Sequence, residues 1–188
     1  MGHGHGGGRG RDHLGRCARR RAGFYTPAIE ILILCTGNTC RSPMAEALLT
    51  DALATRGVEA HVCSAGRVSD GQPATDTAVE VMAERGLDIS GHRSARMTPA
   101  MVGQADLVIA MAREHLREAA VVHPDAYSRT FTLKELARRG AEEGPRAEGE
   151  ALADWLGRLH KRRRPAEHLG QSPLDDVADP VGQGLATY

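Results

Sequence analysis

Ile29-Glu-Ile-Leu-Ile-Leu-Cys-Thr-Gly-Asn-Thr-Cys-Arg-Ser42 joins a nearly continuous apolar run to a short polar loop. Ile29–Leu34 has the pattern of a strand buried on both faces of a parallel sheet. After Pro43, the segment Met44-Ala-Glu-Ala-Leu-Leu-Thr-Asp-Ala-Leu53 reads as a helix, with proline in the first turn, where its missing N–H costs little. A strand, a loop and a helix in that order aim backbone N–H groups and the positive end of a helix at one point, which makes an anion site.

The residue types in the loop fit that use. Gly37 is expected to supply the backbone freedom a tight curl needs, and Asn38 tolerates left-handed geometry. Arg41 offers a planar fork of donors to two phosphoryl oxygens. A free thiol has a pKa of about 8.5, so a nucleophilic cysteine needs donors that stabilise its thiolate. Cys35, at the mouth of the loop, has them in the loop amides and Arg41, with Ser42 placed to hydrogen-bond the sulfur. The remaining loop positions, Thr36, Thr39 and Cys40, would contribute backbone N–H groups to the cradle. Cys40 either packs beneath the loop or serves as partner in a reversible disulfide with Cys35.

Further strands are predicted at Glu59–Cys63, Asp106–Ala110 and Thr130–Leu133. Helices are predicted near Thr75–Arg85, Arg113–Val121 and Leu133–Arg139. This alternation argues for a parallel, doubly wound α/β sheet, in which ligands bind beyond the carboxyl ends of strands. A helix within Glu148–Arg163 would carry Leu152, Trp155, Leu156 and Leu159 on one side. Its charged, Gly- and Pro-rich flanks lead us to read residues 140–170 as a surface insertion. Residues 1–27, with Gly/His repeats and an arginine cluster, cannot offset their ordering entropy by burial and read as a disordered tail without function.

Composition narrows the classes. The 188 residues suit one domain; 41% are hydrophobic, 26% charged, and the net charge is zero. Bulk charge therefore gives no argument for nucleic acid or a membrane surface. No apolar run approaches a bilayer span, and no secretory signal follows the basic amino-terminal residues, so a cytoplasmic protein is expected. The four cysteines, at 17, 35, 40 and 63, are too few for a secreted disulfide scaffold and read as reduced thiols. There is no Cys-x-x-Cys pair and the histidines are scattered, so no metal and no cofactor is expected.

The run Leu34-Cys-Thr-Gly-Asn-Thr-Cys-Arg-Ser-Pro-Met-Ala-Glu46 resembles the active-site segment of low-molecular-weight protein tyrosine phosphatases. Ser64-Ala-Gly66, Gly91-His-Arg-Ser94 and Asp176-Val-Ala-Asp-Pro-Val-Gly182 fit the same family in order. The resemblance implies a three-layer α/β sandwich around a four-stranded parallel sheet in the order 2-1-3-4. It also implies phosphorylated protein substrates, with Cys35 as nucleophile, Arg41 as the phosphate-binding arginine and Asp179 as general acid. Asn38, Ser42, Ser64 and His92 match a network that braces the loop.

Three departures from the family pattern bear on function. Val181 and Gly182 follow Asp179-Pro180 where aromatic rings usually wall the pocket, and Gly71 stands where another ring is common. Thr39 is polar at a position where tyrosine phosphatases commonly carry an aliphatic residue, as it is in bacterial protein-arginine phosphatases. The chain also stops at Tyr188, short of the family's last helix, leaving its place to the Trp155 helix or to an exposed apolar face. Phosphotyrosine and phosphoarginine both stay open as substrates. Arsenate reductases of similar fold need two later relay cysteines, and nothing follows Cys63. A non-catalytic phosphate-binding module would not need Cys35 and Asp179 together.

Overall fold

The computed structural model describes residues 29–68, 70–184 and Tyr188. The tail expected over residues 1–27 lies outside the described residues. The sheet consists of β1 (Ile29–Cys35), β2 (Ala60–Gly66), β3 (Leu107–Ala110) and β4 (Thr130–Thr132). All pairings are parallel and the order is β2-β1-β3-β4, as the resemblance implied. Helices α1 (Arg41–Thr55), α2 (Asp76–Glu84), α3 (Pro99–Gln104), α4 (Arg113–Val122), α5 (Leu133–Glu143) and α6 (Leu152–His160) make the connections.

The continuous apolar run of β1 is explained by its place at the centre of the sheet. Ile31, Ile33 and Cys35 face one core with Ile109, Met111, Phe131 and the α6 residues Leu156 and Leu159. Leu32 and Leu34 face the other, with Val102 of α3 and Ala119 of α4. Alternate side chains therefore supply opposite layers. β1 registers Cys35 against Gly66 on one side and Leu34 against Ala110 on the other. The chain order reverses between these neighbours, so the loop after Cys35 emerges at the switch point of the sheet.

α3 was not anticipated, although Thr98-Pro99 carries the signal of a helix start. The Thr98 hydroxyl accepts from the Met101 N–H and Pro99 occupies the first turn. A second difference concerns α6, expected within a surface insertion, whose apolar side is not at the surface. Leu156 and Leu159 are fully buried under the sheet, and the Trp155 indole N–H donates to the Gly144 carbonyl at 3.1 Å.

The charges that pointed to solvent around α6 are paired inside. Glu135 of α5 accepts from Arg163 (2.9 Å), Arg139 (2.9 Å) and His168 (3.2 Å), while the buried Arg163 also donates to the Thr130 and Tyr127 carbonyls. Its guanidinium lies 4.2 Å from the Phe131 ring centroid and 4.7 Å from that of Tyr127. Burial alone would raise the Glu135 pKa, but the His168 hydrogen bond and the Arg163 charge outweigh it and lower the carboxyl to about 2. Cys35 and Cys40 are free thiols, as the composition implied for them.

Candidate active site

The loop from Cys35 to Arg41 is held in shape by one asparagine. Asn38 carries the left-handed backbone, with φ of 51°, whereas Gly37, expected to provide that freedom, is not among the positive-φ residues. The Asn38 side chain is fully buried, with both amide protons and the carbonyl oxygen engaged. Its Nδ2 donates to Ser42 Oγ and Ser64 Oγ, both at 2.8 Å, and its Oδ1 accepts from the Ala95 N–H at 2.8 Å. Ser64 in turn donates to Glu46 Oε2 at 2.5 Å, and His92 Nε2 donates to the Asn38 carbonyl at 2.7 Å.

Ser42 Oγ accepts from Asn38 and keeps its own proton to offer to Cys35 Sγ, 2.9 Å away, once that sulfur is a thiolate. The Asn38 N–H points at the same sulfur from 3.2 Å. Cys35 is 4% exposed, at the bottom of the cradle. α1 opens without a side-chain cap at Cys40 and without an acidic residue in its first turn, so its positive end is left for an anion.

Neighbouring segments close the back of the loop. The Thr36 carbonyl accepts from the Arg67 and Val68 N–H groups, and the Thr39 carbonyl from that of Thr75. Gly66 lies so close behind that a Cβ would stand 2.8 Å from the Asn38 nitrogen and 2.9 Å from the Thr36 oxygen. Glycine is therefore required there by close approach, not by its own φ. The Cys40 thiol is buried beside Met44, and burial, helped by the Asp179 and Cys35 charges, raises its pKa to about 11.

Arg41 links the loop to the distant Asp-Pro segment. Its Nη2 donates to Asp179 Oδ2 at 2.7 Å and to Thr36 Oγ1 at 3.3 Å, and its Nη1 donates to the Val177 carbonyl at 3.1 Å. The guanidinium is nearly buried, but the Asp179 carboxylate is half exposed. Asp176 anchors the base of this segment, with Oδ1 accepting from the Arg113 N–H at 2.8 Å and Oδ2 from the Ser172 N–H at 2.7 Å. Asp175 is buried between Arg113 and Arg138, and Lys134 donates to the carbonyls of Pro173 and Asp176.

A thiol with two hydrogen-bond donors, an uncapped helix end, a guanidinium and an exposed carboxylate within its reach form a set suited to phosphoryl transfer. The model of the family described as low molecular weight phosphotyrosine protein phosphatase matches residues 30–144. The chain belongs to that family. The phosphatase is 40% identical over 131 residues, 70% of its chain and 88% of the relative's, to a probable low molecular weight protein-tyrosine-phosphatase, EpsP, of Ralstonia solanacearum. It is also 40% identical over 108 residues, 57% of its chain and 71% of the relative's, to a protein-arginine-phosphatase of Bacillus subtilis. Among solved structures, it superposes on a low molecular weight protein tyrosine phosphatase from T. tengcongensis with a TM-score of 0.56. That match has 35% identity and covers 71% of this chain and 95% of the other.

The structure thus brings together Cys35, Arg41, Asn38, Ser42, Ser64 and His92 around one loop, and joins Asp179 to it through Arg41. Glu46, Gly66 and His115, which also hold the loop, had no role in the sequence reading. The motif run did contain Glu46 and Gly66, but their use depends on contacts across the fold. No helix among the described residues is long and apolar enough to cross a membrane.

Proposed function

We propose that this phosphatase is a cytoplasmic bacterial enzyme that hydrolyses phosphotyrosine in proteins through a phosphocysteine intermediate. The observation that carries the reading is the Arg41–Asp179 contact, which ties a carboxylate 138 positions away to the guanidinium beside Cys35. A substrate phosphoryl group competes with Asp179 for the Arg41 fork and frees the carboxyl to face the leaving oxygen. Cys35 Sγ attacks phosphorus, the S–P bond forms, and the bond to the tyrosyl oxygen breaks as Asp179 gives that oxygen its proton. Water then attacks phosphorus, Asp179 takes its proton, and the S–P bond breaks with the Ser42 hydroxyl donating to the departing sulfur. The loop amides, Arg41 and the α1 end bear the charge on the equatorial oxygens throughout.

A second reading, hydrolysis of phosphoarginine by the same mechanism, is favoured by Thr39. Turnover of p-nitrophenyl phosphate that disappears in Cys35→Ser is the test of the enzyme. Phosphate binding without turnover in the parent would refute it. Comparing kcat/KM on phosphotyrosine and phosphoarginine peptides, in the parent and in Thr39→Ile, decides between substrates. An unchanged ratio removes the argument from Thr39.

A further inference from the structure

Behind the loop, α4 presents two adjacent side chains to Thr36. His115 Nε2 lies 3.0 Å from Thr36 Oγ1, and Glu114 Oε1 lies 3.4 Å from the same oxygen and 3.3 Å from His115 Nε2. His115 is 1% exposed, and its other ring nitrogen, Nδ1, has no hydrogen-bond partner among the described residues. A buried histidine with one satisfied nitrogen is poorly explained as filling alone, because a leucine or methionine of similar volume would leave no orphaned polar atom.

The protons around Thr36 fit one arrangement. Arg41 Nη2 can only donate, so Thr36 Oγ1 accepts from it. If His115 carried its proton on Nδ1, a donor would be buried without an acceptor. With the proton on Nε2, only a lone pair is left unsatisfied, the lesser penalty. His115 then donates to Thr36 Oγ1, and Glu114 Oε1 receives the Thr36 hydroxyl proton. The oxygen accepts from two sides and cannot rotate without losing one of them. Val177 holds Nη1 of the same guanidinium by its carbonyl, so Arg41 is fixed at two points of its plane.

We propose that His115 is a positioning residue for the phosphate-binding guanidinium, acting through the Thr36 hydroxyl on the Nη2 edge of Arg41. This rests on the reading of Arg41 as the phosphate ligand. When a phosphoryl group displaces Asp179, the bonds from Nη2 to Thr36 and from Nη1 to Val177 remain. They keep the donor fork facing the phosphoryl oxygens with no reorganisation on binding. Neither His115 nor Glu114 hydrogen-bonds Cys35 or Arg41 among the described residues, so their hydrogen-bonded link to the guanidinium runs through Thr36.

The test is a double-mutant cycle read by calorimetric binding of inorganic phosphate, which needs no turnover, alongside p-nitrophenyl phosphate kinetics. His115→Ala and Thr36→Val each weaken the phosphate Kd by about tenfold, the size of one hydrogen bond to a charged group, and the double variant is no weaker than either. KM follows Kd while kcat changes less than about threefold, since the lost interaction is shared by ground and transition states. His115→Gln keeps an N–H donor near the Nε2 position and restores Kd to within about threefold of the parent.

Effects that multiply in the double variant, a Kd unmoved by His115→Ala, or a glutamine variant as weak as alanine would each overturn the proposal. If His115→Ala fails to fold, Thr36→Ser and Thr36→Val decide. Equal Kd values refute the role of the hydroxyl, and a tenfold gap supports it. Failure of the phosphatase reading would appear separately, as a parent that binds phosphate but shows no Cys35-dependent turnover.

Discussion

Replacing Glu135 by glutamine keeps shape and volume but leaves Arg163, whose side chain is fully buried, without its counter-charge. Folding lowers the Glu135 carboxyl from 4.5 to about 2, which corresponds to about 3 kcal/mol in favour of the ionised native state. Breaking a buried pair by removing one partner costs a similar amount, about 3–5 kcal/mol. Because the native pKa is the lower one, this contribution is complete above pH 4.5 and disappears as pH falls toward 2. Urea denaturation at pH 7 should therefore separate parent and Glu135→Gln by about 3 kcal/mol, with a Tm lower by about 10 °C. At pH 3 the gap should shrink to about half of that or less. A gap below about 1 kcal/mol at pH 7, or one that does not change with pH, would refute the view that this ion cluster holds α6 in place.

Three further outcomes follow from the site. Gly66→Ala drives a Cβ into backbone atoms of Asn38 and Thr36 and should cost about 2 kcal/mol and at least about tenfold in kcat/KM, read by thermal denaturation and p-nitrophenyl phosphate kinetics. Burial, only partly opposed by Glu114, lowers the His115 pKa from 6.5 to about 4, so the unfolded chain takes up the proton first. Stability should then fall by about 3 kcal/mol as pH drops from 6.5 to 4, and His115→Gln should remove that part of the slope in urea titrations. Asp176→Ala strips two backbone N–H groups of their acceptor and should cost about 1–2 kcal/mol, lowering kcat more than KM because the Asp179 segment loses its anchor.

What the sequence disclosed and what it concealed divide along a physical line. β1 and its loop were legible because a doubly buried strand leaves a continuous apolar run and the anion site follows it directly. Asp179 was legible through the family resemblance, since an Asp-Pro pair alone is an ordinary turn. Arg163 and Glu135 were not, because charged residues are read as solvent-facing and only their pairing across 28 positions makes burial tolerable. Gly66 is constrained by the back of another segment, and His115 by a threonine on another element, and neither constraint leaves a local pattern. Propensity points to Gly37 for the loop's left-handed backbone, while the tertiary bonds around Asn38 put it there instead.

The Arg163–Glu135 pair also has a consequence for synthesis. The ribosome releases the phosphate cradle early and the residues that complete the core late. A nascent chain stopped near residue 144, where the family match ends, would carry Glu135 without Arg163 and Phe131 without Leu156 and Leu159 to cover it. Such a chain holds Cys35 to Arg41, Ser64 and His92, but only α1 and α5 cover that face of its sheet. The core around Phe131 closes only when Leu156, Leu159 and Arg163 dock, so the stably folded unit is expected to be longer than the recognisable motif.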